Sequence, residues 1–174
     1  MKLLIHTIAL NRADLLKQMI ESIDTKHDYT LYIHVVSKDP EILDYLILTD
    51  SKPRDFVKLH KPPDDFYTTV CDKEPIWIMV RYVGYNIGVA QCWNDILEAG
   101  YEENTCDRIL FVNSDMKFGP GDMDKMIAFS EAKPDKLITI TGTHGKHREK
   151  WEGMALSHGF ACAVLPRKIF EELG

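Results

Sequence analysis

The stretch RILFVNSDMKFGPGDM, Arg108–Met123, decides how the chain is read. Ile109, Leu110, Phe111 and Val112 form an unbroken apolar run, the pattern of a strand covered on both faces. The run stops at Asn113-Ser114-Asp115, and a Gly119-Pro120-Gly121 turn follows. Alternation along an extended chain places positions 113 and 115 on one side and Ser114 on the other. A carboxylate and a carboxamide so placed are oxygen donors for a hard divalent cation, whose other positions commonly go to phosphates and water. Asn, Ser and Asp also end strands in turns by hydrogen-bonding the local backbone, so the motif alone supports either role.

Outward from this stretch, strand and helix patterns alternate. Lys2–Ala9 reads as a first strand, and Asn11 or Asp14 as the cap of a helix with Leu15, Leu16, Met19, Ile20 and Ile23 on one face. Thr30–Val36 is a second strand, Pro40 opens a helix through Leu48, and Phe56–Leu59 and Ile76–Val83 are further strands. Val89, Trp93, Ile96, Leu97 and Gly100 recur at helical spacing after Asn86-Ile87-Gly88, which makes Trp93 a core residue. A helix from about Pro120 to Ser130, strands Lys136–Thr141 and His158–Leu165, and a terminal helix Arg167–Leu173 complete the pattern. Such alternation implies a three-layer α/β domain with a mainly parallel central sheet. Ligands of these sheets bind beyond the carboxyl ends of the strands, where Asn113-Ser114-Asp115 would lie.

Composition narrows the function classes. The 174 residues suit one domain, 1–174, and 45% apolar with 28% charged residues is ordinary globular usage. A net charge of −6 argues against nonspecific nucleic-acid binding, and a phosphate ligand would need positive charge recruited locally. No apolar run reaches the length of a membrane span, and MKLLIHTIALNR reads as a strand rather than a signal peptide. Cys71, Cys92, Cys106 and Cys162 are scattered without a CxxC pair, which suggests reduced thiols in a cytoplasm.

Four segments in order carry a resemblance: HTIALNRADLLKQMIESI, NIGVAQCWNDIL, RILFVNSDMKFGPGDMDKMI and HGFACAVLPRKIFEELG. The chain resembles family 2-type glycosyltransferases of the GT-A fold, a Rossmann-like α/β architecture. The resemblance implies an inverting transferase that moves a sugar from a nucleoside-diphosphate donor to an acceptor hydroxyl, assisted by Mn²⁺ or Mg²⁺. It places Thr7, Ala9, Asn11 and Arg12 beside the nucleotide, and Asn86, Gly88, Asn94 and Ser114 around the donor. Asp115 matches the last acid of the family's metal motif, and Asn113 stands where many relatives carry the first. Relatives end the second strand with Asp and Gly-Ser-x-Asp; here it reads HVVSKDP, and base recognition passes to Asp39. In the family an acid that serves as catalytic base follows the segment matching IFEELG. We therefore expect a domain without that acceptor- and base-bearing segment, and the base is unassigned.

Two loops carry further possibilities. Lys146, His147, Arg148 and Lys150 in GTHGKHREKWEG suit either a phosphate lid or a solvated charged loop, and Trp151 suits sugar stacking. The alternative to an enzyme is a catalytically inactive GT-A-like module that binds nucleotide or carbohydrate, favoured by Asn113 in place of an acid. A nucleotidyltransferase would carry a glycine-rich loop after the first strand, where IALNRADLL has none.

Overall fold

The computed structural model describes residues 1–48, 76–82, 85–102, 105–140 and 162–173. The expected strand Phe56–Leu59, the Lys146–Lys150 loop, Trp151 and Cys71 lie outside the described residues.

Six strands, β1 (Lys2–Ala9), β2 (Asp28–Val35), β3 (Ile76–Tyr82), β4 (Arg108–Val112), β5 (Ile138–Ile140) and β6 (Cys162–Pro166), form one sheet in the order β3-β2-β1-β4-β6-β5. β1 pairs in parallel with β2 and β4, and β2 with β3. β6 alone runs against its neighbours, β4 and β5. Among the described residues the α-helices are α1 (Ala13–Glu21), α2 (Pro40–Leu48), α3 (Val89–Leu97), α4 (Asp122–Ala132) and α5 (Arg167–Leu173). This is the three-layer α/β arrangement that the alternating pattern predicts.

Two cores explain the layers. Leu3, Ile5 and Ala9 of β1 pack with Leu16 and Met19 of α1, Ile42 of α2, and Met123 and Ile127 of α4. On the other face, Leu4 of β1 and Ile109 of β4 pack with Ile96 of α3, and Ile169 and Phe170 of α5 close against them. β1 and β4 therefore bury both of their faces, which is why their sequences are continuous apolar runs rather than alternating ones.

Helix entries differ from expectation in detail. Neither Asn11 nor Asp14 caps α1; Arg12 holds that position with φ 64°, and its carbonyl accepts from Leu15 N and Leu16 N. α4 begins at Asp122 after Gly121, whose φ of 70° suits a glycine. β4 stops at Val112, so the strand alternation expected for Asn113 to Asp115 does not extend to them. They form a turn in which Met116 N donates to the Asn113 carbonyl at 3.0 Å.

α3 runs into a π-helical turn, Glu98–Glu102, anchored where its chain meets the sheet. The Tyr101 hydroxyl donates to the Leu165 carbonyl and accepts from Ile109 N. Burial raises its pKa well above the ordinary phenol value, so it stays a donor. Gly100 sits so close to the sheet that an added Cβ would lie 2.8 Å from Ile109 Cδ1 and 2.9 Å from Leu4 Cδ2. Overpacking of this kind costs about 1–3 kcal/mol. Gly100→Ala should therefore lower stability in denaturant titration, and Ile109→Val, which removes the nearest carbon, should recover part of the loss. A neutral Gly100→Ala would show that the contact is relieved elsewhere.

Candidate functional site

The sheet opens where β1 changes partners. β1 stays paired with β2 through Ala9↔Val35, whereas its pairing with β4 ends at His6↔Phe111. α1 and α3, which flank this divergence, pack on opposite faces. Open α/β sheets bind ligands at such a switch point. A cleft of about 360 Å³ lies there, lined by His6, Ile8, Asn11, Arg12, Trp93, Phe111, Asn113, Ser114 and Asp115, with Leu10, Leu15, Val89 and Val112 completing its walls.

The structure thus brings five expected residues together: Asn11, Arg12, Asn113, Ser114 and Asp115. The 113–116 turn presents Asn113 and Asp115 as exposed residues, so turn formation and ligand contact are compatible here. Arg12 reaches the same cleft and meets Asp14 through two hydrogen bonds, Nε to Oδ1 at 2.9 Å and Nη2 to Oδ2 at 2.8 Å. That guanidinium holds the Asp14 carboxyl at about 2, below the usual carboxylate range. Both side chains are exposed, so the pair sets orientation more than stability.

Other expected residues lie elsewhere. Thr7 and Ala9 are buried and do not line the cleft; Ala9 packs on the α1 face, and His6 and Ile8 line the cleft in their place. Asp39 stands just before α2, where its Oδ1 accepts from Glu41 N at 2.9 Å, a helix-capping role. Asn86 folds its Oδ1 onto Gly88 N at 2.9 Å, and Gly88, with φ 83°, is the residue before α3. Asn94 is exposed on α3 and does not line the cleft, although Val89 at the start of that helix does.

The residues that sequence reasoning missed form the cleft floor. Trp93 packs against Phe111, ring centroids 4.8 Å apart, and lines the cleft as well as supporting the core. His6 is only 1% exposed and His34 of β2 is 0% exposed, and His6 Nε2 lies 2.7 Å from His34 Nδ1. His34 Nε2 in turn lies 3.4 Å from Asp95 Oδ2 on α3. No spacing marks this group, since its members come from three elements. Among the described residues no cluster of three or more His, Cys, Asp or Glu side chains gathers as a ready-made metal cage. The Asn113-Ser114-Asp115 turn offers instead a carboxylate, a carboxamide and a hydroxyl, hard oxygen donors that suit Mg²⁺ or Mn²⁺ sharing its shell with a ligand's phosphates.

No protein-family model matches the chain, and no curated protein matches it. Solved structures do resemble it. S. aureus TarS residues 1–349 superimposes with a TM-score of 0.61 at 12% identity, covering 99% of this chain and 49% of that one. Its complex with UDP-GlcNAc gives 0.62 at 12% identity, covering 99% and 47%. The mannosyltransferase PcManGT from Pyrobaculum calidifontis, solved with GDP-Man and Mn²⁺, gives 0.60 at 9% identity, covering 99% and 46%. The fold is that of GT-A glycosyltransferases. The chain spans about half the length of these neighbours.

Two measurements test the geometry of the site. A non-glycine residue at positive φ costs about 1–3 kcal/mol, so Arg12→Gly should leave the protein at least as stable in denaturant titration. A clear loss of stability would mean that the Arg12–Asp14 pair outweighs the strain. Burial first, and the adjoining His34 ring second, hold the His6 pKa well below its ordinary 6.5. The folded state keeps His6 neutral while the unfolded chain protonates it, so stability declines as pH falls below about 6.5. One proton contributes at most about 1.4 kcal/mol per pH unit. The groups facing His6 are Tyr32, His34 and, through His34, Asp95. His6→Gln should flatten the denaturation midpoint between about pH 7 and 5; an unchanged slope rules His6 out as its source.

Proposed function

We propose that this domain binds a nucleoside-diphosphate sugar in the β1–β4 cleft and transfers the sugar to an acceptor hydroxyl, assisted by Mn²⁺ or Mg²⁺. The observation that carries the reading is the convergence of Asp115, Asn113 and Arg12 on one cleft at the switch point of a GT-A sheet. The neighbours' own ligands, UDP-GlcNAc in one and GDP-Man with Mn²⁺ in another, support the choice of donor class.

Asp115, with Asn113 beside it, would hold the cation and Arg12 would meet the diphosphate at the rim. A bound divalent ion supplies Lewis-acid stabilisation of the charge that develops on the leaving diphosphate. Without it the Asp115 carboxylate repels that diphosphate, since a carboxylate and a phosphate carry like charge. Trp93 and Phe111 form an apolar wall that excludes water from one side of the ligand. The acceptor hydroxyl needs a group to take its proton, and no residue is assigned to that step. A nucleotide- or carbohydrate-binding module without chemistry is the second reading, favoured by Asn113 in place of an acid.

Binding alone is measurable. At a hundredfold excess over Kd a ligand stabilises by about 2.7 kcal/mol. For a chain of this size that is a melting shift of about 5–10 °C. UDP or GDP with Mn²⁺ should produce such a shift, and Asp115→Ala should lose its metal-dependent part. Release of nucleoside diphosphate from a sugar donor separates transferase from binding module. No shift with any nucleoside diphosphate, with or without metal, defeats both readings.

A further inference from the structure

The two charged sides of the cleft are joined behind it through α1. The entry residue of that helix, Arg12, lines the cleft, and its nine residues, about 13 Å of helix, end at Ser22. Leu16 and Met19 bury α1 against the sheet, so its two ends keep a fixed separation. At the far end the Ser22 hydroxyl donates to the Met19 carbonyl at 2.8 Å and accepts from Phe118 N at 3.1 Å. A hydroxyl has one proton to give and lone pairs to receive with, so both bonds form together. Phe118 lies three residues beyond Asp115.

The intervening segment carries that bond back to the cleft. Asp115 and Lys117 are exposed, Met116 is half-buried against the core and Phe118 is buried in it, the alternation of extended chain. Register decides direction in such a segment: a slip of one residue would turn Asp115 inward and Met116 outward. Met116 N donates to the Asn113 carbonyl upstream, and downstream Gly119 N donates to Asp122 Oδ2 while Asp122 N donates to the Gly119 carbonyl. Of these bonds, the one from Phe118 N to Ser22 joins the segment to α1 and so to Arg12.

The junction is built so that this bond can be lost without unfolding. Thr25 Oγ1 donates to Asp124 Oδ1 at 2.6 Å, which keeps the chain leaving α1 beside the start of α4. A groove of about 380 Å³, lined by Gln18, Ser22, Lys117 and Pro120 among others, opens over the junction. Water entering it can replace the Ser22 oxygen on Phe118 N, so the hydroxyl contributes more to the register of the segment than to folding stability.

We propose that Ser22 is a positioning residue for the cleft: its hydroxyl fixes the register of the 115–118 segment against α1, and thereby the placement of Asp115 relative to Arg12. This rests on the reading of the cleft as a nucleoside-diphosphate site, since the ligand spans the two residues so held. Small misplacements of groups that converge on one ligand are costly, even when the residue that causes them touches no ligand atom.

The test pairs a readout that needs no ligand with a binding measurement on Ser22→Ala and Ser22→Thr. Amide hydrogen exchange of the full chain, followed by NMR, should show Phe118 N–H exchanging faster in Ser22→Ala and protected in Ser22→Thr, which keeps the hydroxyl. Calorimetry of UDP and GDP with Mn²⁺, well below the melting temperature, should show affinity about fivefold weaker in Ser22→Ala and restored in Ser22→Thr. Ser22→Cys, close to serine in volume but with a weakly accepting thiol, should weaken binding as alanine does and guards against a packing defect at alanine. A lower melting temperature with unchanged affinity would mean that Ser22 is merely structural, and the proposal fails while the donor reading stands. Unchanged Phe118 exchange in Ser22→Ala overturns the proposal whatever binds. Wild-type protein that binds neither nucleotide, with Phe118 exchange responding as expected, defeats the donor reading and removes the role of Ser22 with it.

Discussion

β4 is hydrogen-bonded to β1 on one side and β6 on the other, and the cores of both sheet faces enclose it. That enclosure governs the rest. A polar side chain within Ile109–Val112 would be buried without water, at about 1–3 kcal/mol if unpartnered. The polar continuation of the strand must therefore emerge beyond Val112, at the carboxyl end of the sheet. β1 keeps its pairing with β2 to Ala9 but loses β4 after His6, so the two chains part there. The turn that carries Asp115 and the turn that carries Arg12 are delivered to the two sides of that gap by backbone pairing alone.

The charges in the gap are balanced in an instructive way. Arg12 is held in a left-handed conformation that a bulky residue rarely adopts, and it is met by Asp14. Asp115 faces the same cleft. A protein of net charge −6 does not attract an anion there through its overall field. In the proposed reading, a divalent cation on the oxygen donors of the 113–115 turn would add to the positive charge of Arg12 and so favour a diphosphate ligand.

Much of this was legible because burial leaves a mark on composition. The apolar run Ile109–Val112 announces a central strand, and the Val89–Ile96 spacing announces a helix on the sheet. What burial does not mark is direction. β1 is covered on both faces, so nothing in KLLIHTIA distinguishes the side of Thr7 from the side of His6, and the cleft takes the latter. Asp39 and Asn86, placed at the donor by resemblance, make a helix-cap and a turn hydrogen bond with the same oxygens that a donor would use, so residue type alone does not separate the two roles. Trp93 sits on an apolar stripe and also reaches the cleft, two roles that one spacing cannot separate. The His6–His34 contact spans 28 residues and depends on strand register, which no local pattern specifies.

That register dependence gives the buried histidines a second consequence. In the β1–β2 ladder Tyr32 stands opposite His6, and His34 opposite Ile8. The imidazoles meet diagonally across one face. A slip of one residue would turn His34 to the opposite face, away from Asp95, and leave His6 without its partner in an apolar layer. Apolar side chains tolerate such slips better, because any of them can be buried against any other. The polar chain therefore penalises misregistered pairings at the place where β1 and β2 support the cleft. The contacts that orient His6 also discriminate among sheets the same sequence could form, and so connect the folding of the β1–β2 pair to the shape of the cleft floor.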